Sequence, residues 1–333
     1  MNEPRPSFSL YPLRFEPIFQ YRLWGGRRLE ELVSTPLPDG PVGEAWILSD
    51  RDDHASVVAD GHLKGTTLAK LTQSIHSRIF GSQASKFKRF PLLLKFLDAR
   101  EDLSVQVHPS DSQTNLLPPG EHGKTEAWVV LESAPGSLIY AGLKPGANAE
   151  AIRSLNAQNA SETLASFHPS VGDGVFIHSG TVHTLGAGVV VFEVQENSDV
   201  TFRIFDWDRV DAKTGQPREL HIEKSLESID WNQGLITPVQ PMIESTEPVK
   251  RELLFTCEHF TTWRVTGEHF FNVGAVGEPR VVIALDGVAS LDSEGKHYPI
   301  HKGDVMLLPA EIGVCVCNPN GPFTCLEVAI REV

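Results

Sequence analysis

A chain of 333 residues with 41% hydrophobic and 22% charged residues has an ordinary globular composition and is too long for one small core. Its formal net charge of −14 works against sequence-independent binding to nucleic acid or to an anionic membrane, so an anionic small molecule has to be met by a local basic pocket. No apolar run reaches transmembrane length, and the first fifteen residues carry charge and proline without an apolar signal core.

The four cysteines, Cys257, Cys315, Cys317 and Cys325, form no CxxC pair, which predicts free thiols in a cytoplasmic protein. Residues 8–60 read as short strands and irregular segments. Leu68, Leu71, Ile75 and Ile79 then fall at helical spacing before Gly81. The run 91–99 reads as a buried strand interrupted by one charge, Lys95. In LSVQVHP, Gln106 and His108 lie two apart on an apolar strand and share a face. After a Pro/Gly loop, Lys124 and Glu126 repeat that spacing on a second apolar run. Residues 137–143 predict a strand and 148–168 a broken helix. Strand and turn return over 172–183, ending at His183, and 188–195 predicts a strand. Farther on, TFRIF places Thr201, Arg203 and Phe205 on one face, and a short amphipathic helix follows at about 220–231. An amide, two imidazoles and a carboxylate (Gln106, His108, His183 and Glu126) arriving on three strands form a candidate divalent-metal site.

A repeat links the two ends of the chain. VGDGVFIHSGTVH, from Val171, aligns with KGDVMLLPAEIGV, from Lys302: a Gly-Asp turn, a short apolar strand and a second turn at the same offset. Both copies follow the second cupin motif, G-x5-P-x-G-x2-H. His178 replaces the proline in the first copy, and Val314 replaces the final histidine in the second. The expectation is a mainly β chain with two cupin-type β-barrels (jelly rolls) and a small helical insertion. Residues 1–235 form the metal-binding catalytic unit, with helical segments at about 62–90, 148–168 and 219–231. Residues 236–251 form a linker, and 252–333 a second barrel without metal.

With QVHP, GKTE, SGTVH and NSDVTFR in hand, the chain resembles the type I mannose-6-phosphate isomerases, most closely their shorter bacterial form, over almost its whole length. That resemblance implies an aldose-ketose isomerase acting on mannose 6-phosphate and fructose 6-phosphate, with one divalent ion per chain, usually zinc, on Gln106, His108, Glu126 and His183. It implies a catalytic role for Arg203 and active-site roles for Lys124 and Lys95, the two lysines being the candidate phosphate-binding cations. In this sequence Gly123 precedes the GKTE lysine where longer members carry histidine, and the helical domain of those members is reduced. Asp199 is the carboxylate best placed in sequence for proton transfer, with Lys124, His122, His178 and a metal-bound water as alternatives. Other readings are an iron-dependent cupin oxygenase, a sugar-phosphate-binding cupin without catalysis, and a metal cupin acting on another sugar phosphate. Two lysines and an arginine suit a phosphate better than dioxygen.

Overall fold

The described part of the chain, residues 8–331 of a computed structural model, is mainly strand with a few short helices. It divides into two units, each described here separately. Residues 17–56 and 91–240 form one; residues 8–16, 57–90 and those from 241 onward form the other.

The first unit is built from two antiparallel sheets. The larger contains Gly174–Ile177, Glu126–Ser133, Val189–Glu196, Leu92–Ala99, Ile18–Gly26 and Val42–Leu48; the smaller contains Leu164–Phe167, Ile139–Leu143, His183–Leu185, Val105–Val107 and Phe202–Phe205. Because successive strand residues point to opposite faces, each sheet can give one face to a shared core. Trp128, Val130, Val175, Val189 and Val191 of the larger sheet pack there with Ile139, Ala141 and Leu185 of the smaller. The other face of the smaller sheet, with Val105, Val107, Phe202 and Ile204, is covered by Ile152, Leu155 and Ile229 from the helical segments. Among the described residues no strand is shared by the two sheets. The two facing sheets are consistent with the expected cupin-type jelly roll.

The inner face of the larger sheet changes character along its length. At one end it presents Ala99, Val189 and Val130 to the core. A few residues away the same alternation presents Lys95, Glu193 and Glu126, all buried. Lys95 and Glu193 are direct partners across the sheet, and Gln195 faces Glu126.

The second unit also pairs two sheets, of seven and four strands. Val265, Val282, Met306, Phe323 and Cys325 pack against Phe271, Val273, Leu291, Ile300, Cys315 and Cys317. The helices Leu68–Ser74 and His76–Phe80 belong here, so the sequence division differs from the observed one. Thr67 caps the first helix by accepting from the Lys70 amide, and Gly81 ends the second at φ 55°. The backbone then joins the C-terminal strands, with Ala310 N donating to Ile79 O at 2.9 Å and Ser82 N to Gly277 O at 2.8 Å. A side chain at Gly81 would also meet Gly277 O at 2.2 Å, so the position requires glycine on both counts.

Three local expectations are corrected. Residues 164–167, expected as the tail of a helix, form a strand pairing with Ile139–Leu143, because Leu164 is drawn into the apolar cluster on the sheet's outer face. Met242–Ser245, inside the expected linker, forms a strand with Lys250–Thr256. The pairing of Phe202–Phe205 with Val105–Val107 slips between Arg203 and Phe205, and the bulge turns Phe205 into the outer cluster with Phe202 and Ile204. Thr201 and Arg203 therefore share a face that Phe205 has left.

The sequence repeat has a matching hydrogen-bond pattern. Asp173 N donates to Ser170 O and Asp304 N to His301 O, while each carboxylate accepts at 2.8 Å from the amide three residues back. Gly172 and Gly303 hold φ values of 90° and 87°.

An ion pair on a buried carboxylate fixes the end of the larger sheet in the first unit. Asp98, fully buried, accepts from Arg28 N at 2.8 Å and Arg28 Nε at 2.9 Å, and the same guanidinium donates to Gly188 O at 3.1 Å. Removing the Asp98 carboxylate takes the acceptor from both the Arg28 amide and its guanidinium, while the half-buried Arg28 keeps Glu132 at 3.5 Å. Asp98→Ala is expected to cost about 1.5–3 kcal/mol, the loss of charge-assisted hydrogen bonds, read as a lowered midpoint in chemical denaturation of the full chain. A midpoint unchanged from wild type would show that the pair holds nothing in place.

Candidate active site

Three neighbouring strands of the smaller sheet deliver a row of side chains. His183 pairs with Gln106, and Gln106 pairs with Arg203 on its other side. His108 follows two residues after Gln106, and its carbonyl is anchored by the Gly180 amide at 2.8 Å. Gly180, at φ 84°, makes the turn from which His183 enters its strand. The opposed sheet brings Glu126 to the same place.

His108, Glu126 and His183 are all buried, and their ligand atoms lie within 4.8 Å of one another. Glu126 Oε2 is 3.4 Å from His108 Nε2, and Oε1 is 3.2 Å from His183 Nε2. Both rings are oriented from behind: His108 Nδ1 donates to Val200 O at 2.8 Å and His183 Nδ1 to Thr181 O at 2.9 Å. That assignment of the ring protons, inferred from the carbonyl partners, leaves the Nε2 lone pairs aimed at the carboxylate. Burial, reinforced by the Lys124 ammonium, pushes the His108 imidazole down to about 3, so the ring is neutral. Lys124 Nζ forms an ion pair with Glu126 Oε2 at 2.7 Å, yet neither carboxylate oxygen has an aligned hydrogen-bond donor among the described residues. Two lone pairs and a carboxylate converging in this way fit a divalent cation. Gln106 stands beside them with its amide nitrogen 3.2 Å from His183 Nε2, and half a turn of the amide would present its oxygen instead.

A cavity of about 380 Å³ opens against these donors. Gln106, Lys124, Glu126, Lys95, Asp199 and Arg203 all line it, so six of the eight residues singled out from sequence meet in one space, with His108 and His183 behind Glu126. His122 and His178 are outside its lining. His122 is mostly exposed, and His178 packs edge-on against Phe176.

Other groups in the cavity were not anticipated. Glu193 lies between the two lysines, 3.1 Å from Lys95 Nζ and 3.7 Å from Lys124 Nζ. Burial, with the Glu126 charge beside it, pushes its carboxyl up to about 8. Glu44 is 3.5 Å from Lys95 Nζ and accepts from Arg22 Nε and Trp46 Nε1 at 2.7 and 2.6 Å. Burial works against its charge, but Arg22 and Lys95 outweigh that and hold the carboxyl well below the usual carboxylate range. For Lys95 the same two carboxylates, Glu193 foremost, overcome burial and raise the ammonium above its ordinary value.

Arg203 sits on the opposite wall. Its backbone is bracketed by His221, which accepts from Arg203 N at 3.1 Å through Nδ1 and donates its own amide to Arg203 O at 2.7 Å. The guanidinium donates to Glu219 O at 2.8 Å, while Nε is buried with no partner among the described residues. Burial and the neighbouring Arg218 pull its pKa down to about 10, which leaves it charged at neutral pH. Asp199 is exposed at the cavity mouth.

The family described as phosphomannose isomerase type I, catalytic domain, matches residues 13–126. The chain is 36% identical over 307 residues to the mannose-6-phosphate isomerase ManA of Bacillus subtilis, covering 91% of this chain and 94% of that protein. It belongs to the type I phosphomannose isomerase family. A mannose-6-phosphate isomerase of Streptococcus mutans is 33% identical over 303 residues, covering 90% of this chain and 93% of its own. The crystal structure of the Bacillus subtilis mannose 6-phosphate isomerase superposes with a TM-score of 0.87 at 30% identity, across 96% of this chain and 99% of that one. A putative mannosephosphate isomerase from Archaeoglobus fulgidus, 21% identical, shares the fold at a TM-score of 0.76, covering 98% of this chain and 100% of its own.

For this phosphomannose isomerase family member, the donor geometry predicts about one divalent ion per chain, lost when either imidazole is removed. Elemental analysis of wild type and His183→Ala checks it. An equal metal load in the two proteins would rule out the His108, Glu126 and His183 cluster as the site.

Proposed function

We propose that this chain interconverts mannose 6-phosphate and fructose 6-phosphate, using one zinc ion on Gln106, His108, Glu126 and His183. The observation that carries the reading is the convergence of two backbone-anchored imidazoles and a buried carboxylate beside a cavity that also holds Arg203, Lys95 and Lys124. A divalent cation bound there supplies Lewis acidity to the sugar oxygens at C1 and C2. The chain's own residues supply the rest.

The open-chain sugar lies with its carbonyl end toward the donor cluster. Arg203, next to Gln106 across the sheet, presents a permanent positive charge to the oxygens as negative charge develops on them. Lys124, 2.7 Å from Glu126 and 3.4 Å from His108, occupies the same end, where its ammonium can donate to a sugar oxygen. Asp199, exposed on the cavity lining, is the first candidate for moving the proton between C1 and C2, with Lys124 as its rival. Lys95 is held on the floor by Glu44 and Glu193 and sets the charge against which the sugar docks. Cys315, Cys317 and Cys325 are buried free thiols, which supports a cytoplasmic setting. No helix among the described residues is long and apolar enough to cross a membrane.

A coupled assay on mannose 6-phosphate, before and after chelation and on return of zinc, tests the activity; absence of turnover by the metal-replete protein would overturn it. Arg203→Ala is expected to retain fold and metal but lose about 3–4 kcal/mol of transition-state stabilisation, as on deleting an oxyanion donor. Because the charge it meets exists only on the way to the enediol, kcat and kcat/KM should fall together with KM nearly constant. Arg203→Lys should recover part of the loss, since an ammonium lacks the planar fork. A raised KM at unchanged kcat would place Arg203 on the substrate's distal end instead.

A further inference from the structure

The two buried lysines of the cavity are poor places for a phosphate. Each ammonium already has two carboxylates within ion-pair distance: Lys95 has Glu193 and Glu44, and Lys124 has Glu126 and Glu193. The uncompensated positive charge is on the other wall. Arg203, Arg209 and Arg218 cluster about one buried carboxylate, Asp206. It accepts from Arg218 Nε at 2.8 Å and from Arg209 at 2.6 Å, while Arg203 is held by a neutral carbonyl. Arg209 has a second, longer contact at 3.8 Å, with the exposed Glu101. Mutual repulsion is part of what lowers the pKa of Arg203, with Arg218 the largest charged contributor and Arg22 and Arg209 also acting. Arg218 lines the cavity together with Arg22, Tyr21 and Asp211.

We propose that Arg218 is the phosphate-recognising residue of this cavity, with Asp206 positioning its guanidinium to receive the dianionic end of the substrate. This rests on the sugar-phosphate reading above. The open-chain sugar carries its carbonyl and its phosphate at opposite ends. With the donor cluster, Gln106 and Arg203 on adjacent strands, the side of Arg203 away from Gln106 is where the distal group falls. The two nitrogens of Arg218 that bind Asp206 lock its fork and leave its other donors for an anion, and because Arg209 and Arg218 share the one Asp206 carboxylate the group keeps a net positive charge. The hairpin that delivers Arg218, Val210–Asp211 paired with Gln216–Pro217, is tied to the cavity wall by Tyr21. Its hydroxyl donates to Asp211 at 3.4 Å, and Lys213 Nζ lies 3.4 Å from the Tyr21 ring centre.

The test uses the metal-replete full chain as wild type, Arg218→Gln and Arg218→Lys. Inorganic phosphate serves as the binding probe by calorimetry and as a competitive inhibitor, and mannose 6-phosphate as the substrate. Arg218→Gln is expected to weaken inorganic phosphate and raise KM by about tenfold or more each, the loss of a charge-assisted contact, while kcat stays within about twofold. Arg218→Lys, which keeps a charge beside Asp206, should show a smaller loss in both and serves as the measure if the glutamine variant does not fold. Phosphate affinity unchanged in the variants overturns the inference while leaving isomerase activity standing. Phosphate binding that depends on Arg218 in a protein that does not turn over mannose 6-phosphate removes the isomerase reading and leaves the subsite.

Discussion

Glu44, Lys95, Glu193, Glu126 and Lys124 are all buried in the first unit, and none could remain charged there alone. An isolated ion in so dry a place would neutralise itself or unfold its surroundings. Here acids and bases interleave, so each carboxylate meets an ammonium or a guanidinium within 4 Å. The sheet register that sets Lys95 opposite Glu193 is therefore also the arrangement that lets the cavity floor exist. Glu193, pushed up first by burial and then by the neighbouring Glu126, is the one member whose carboxyl is raised rather than lowered, since the lysines beside it are shared with the other carboxylates.

The candidate metal donors and Arg203 are positioned by a different constraint. They come from the smaller sheet, whose outer face is fastened by Phe202, Ile204, Val105 and Val107 to the helical segments. Packing on the outside sets which way Gln106, His108 and Arg203 point on the inside, since alternate residues of one strand cannot be turned independently. The two imidazoles gain further rigidity from carbonyls behind them, Val200 O and Thr181 O, both in loops leading into site strands.

Much of this was legible in the sequence where a polar residue breaks an apolar strand at period two. Gln106, His108, Lys124 and Glu126 stand out in that way, and the Gly-Asp repeat announced two related β units. Glu193 carried the same signal, a single acid in VVVFEVQ, and could have been paired with the single lysine in LLLKFL: opposite charges in two buried runs are what neighbouring strands need. Arg22, Glu44 and Arg218 were not legible, because a charged residue in a short strand or after a hairpin looks like a solvated one until the partner strand is known. The misplacement of Phe205 has a specific cause. A bulge breaks the alternation on which the reading relied, and no residue in TFRIF marks it. The helices at 68–80 were found, but their allegiance to the C-terminal strands depends on backbone contacts at Ala310 and Gly277 that no local pattern encodes.

The row formed by His183, Gln106 and Arg203 has a consequence for how such a chain can change. Adjacent strands are about 4.8 Å apart, so the separation between the donor side and the arginine side is set by two interstrand steps, about 10 Å, and not by any loop. Under the roles proposed for Arg203 and Arg218, descendants of this chain can lengthen, shorten or rewrite the 206–218 segment and thereby accept sugars with a different tail, while the geometry at the reacting carbons is inherited unchanged. Selection can then act on what is bound separately from what is done to it.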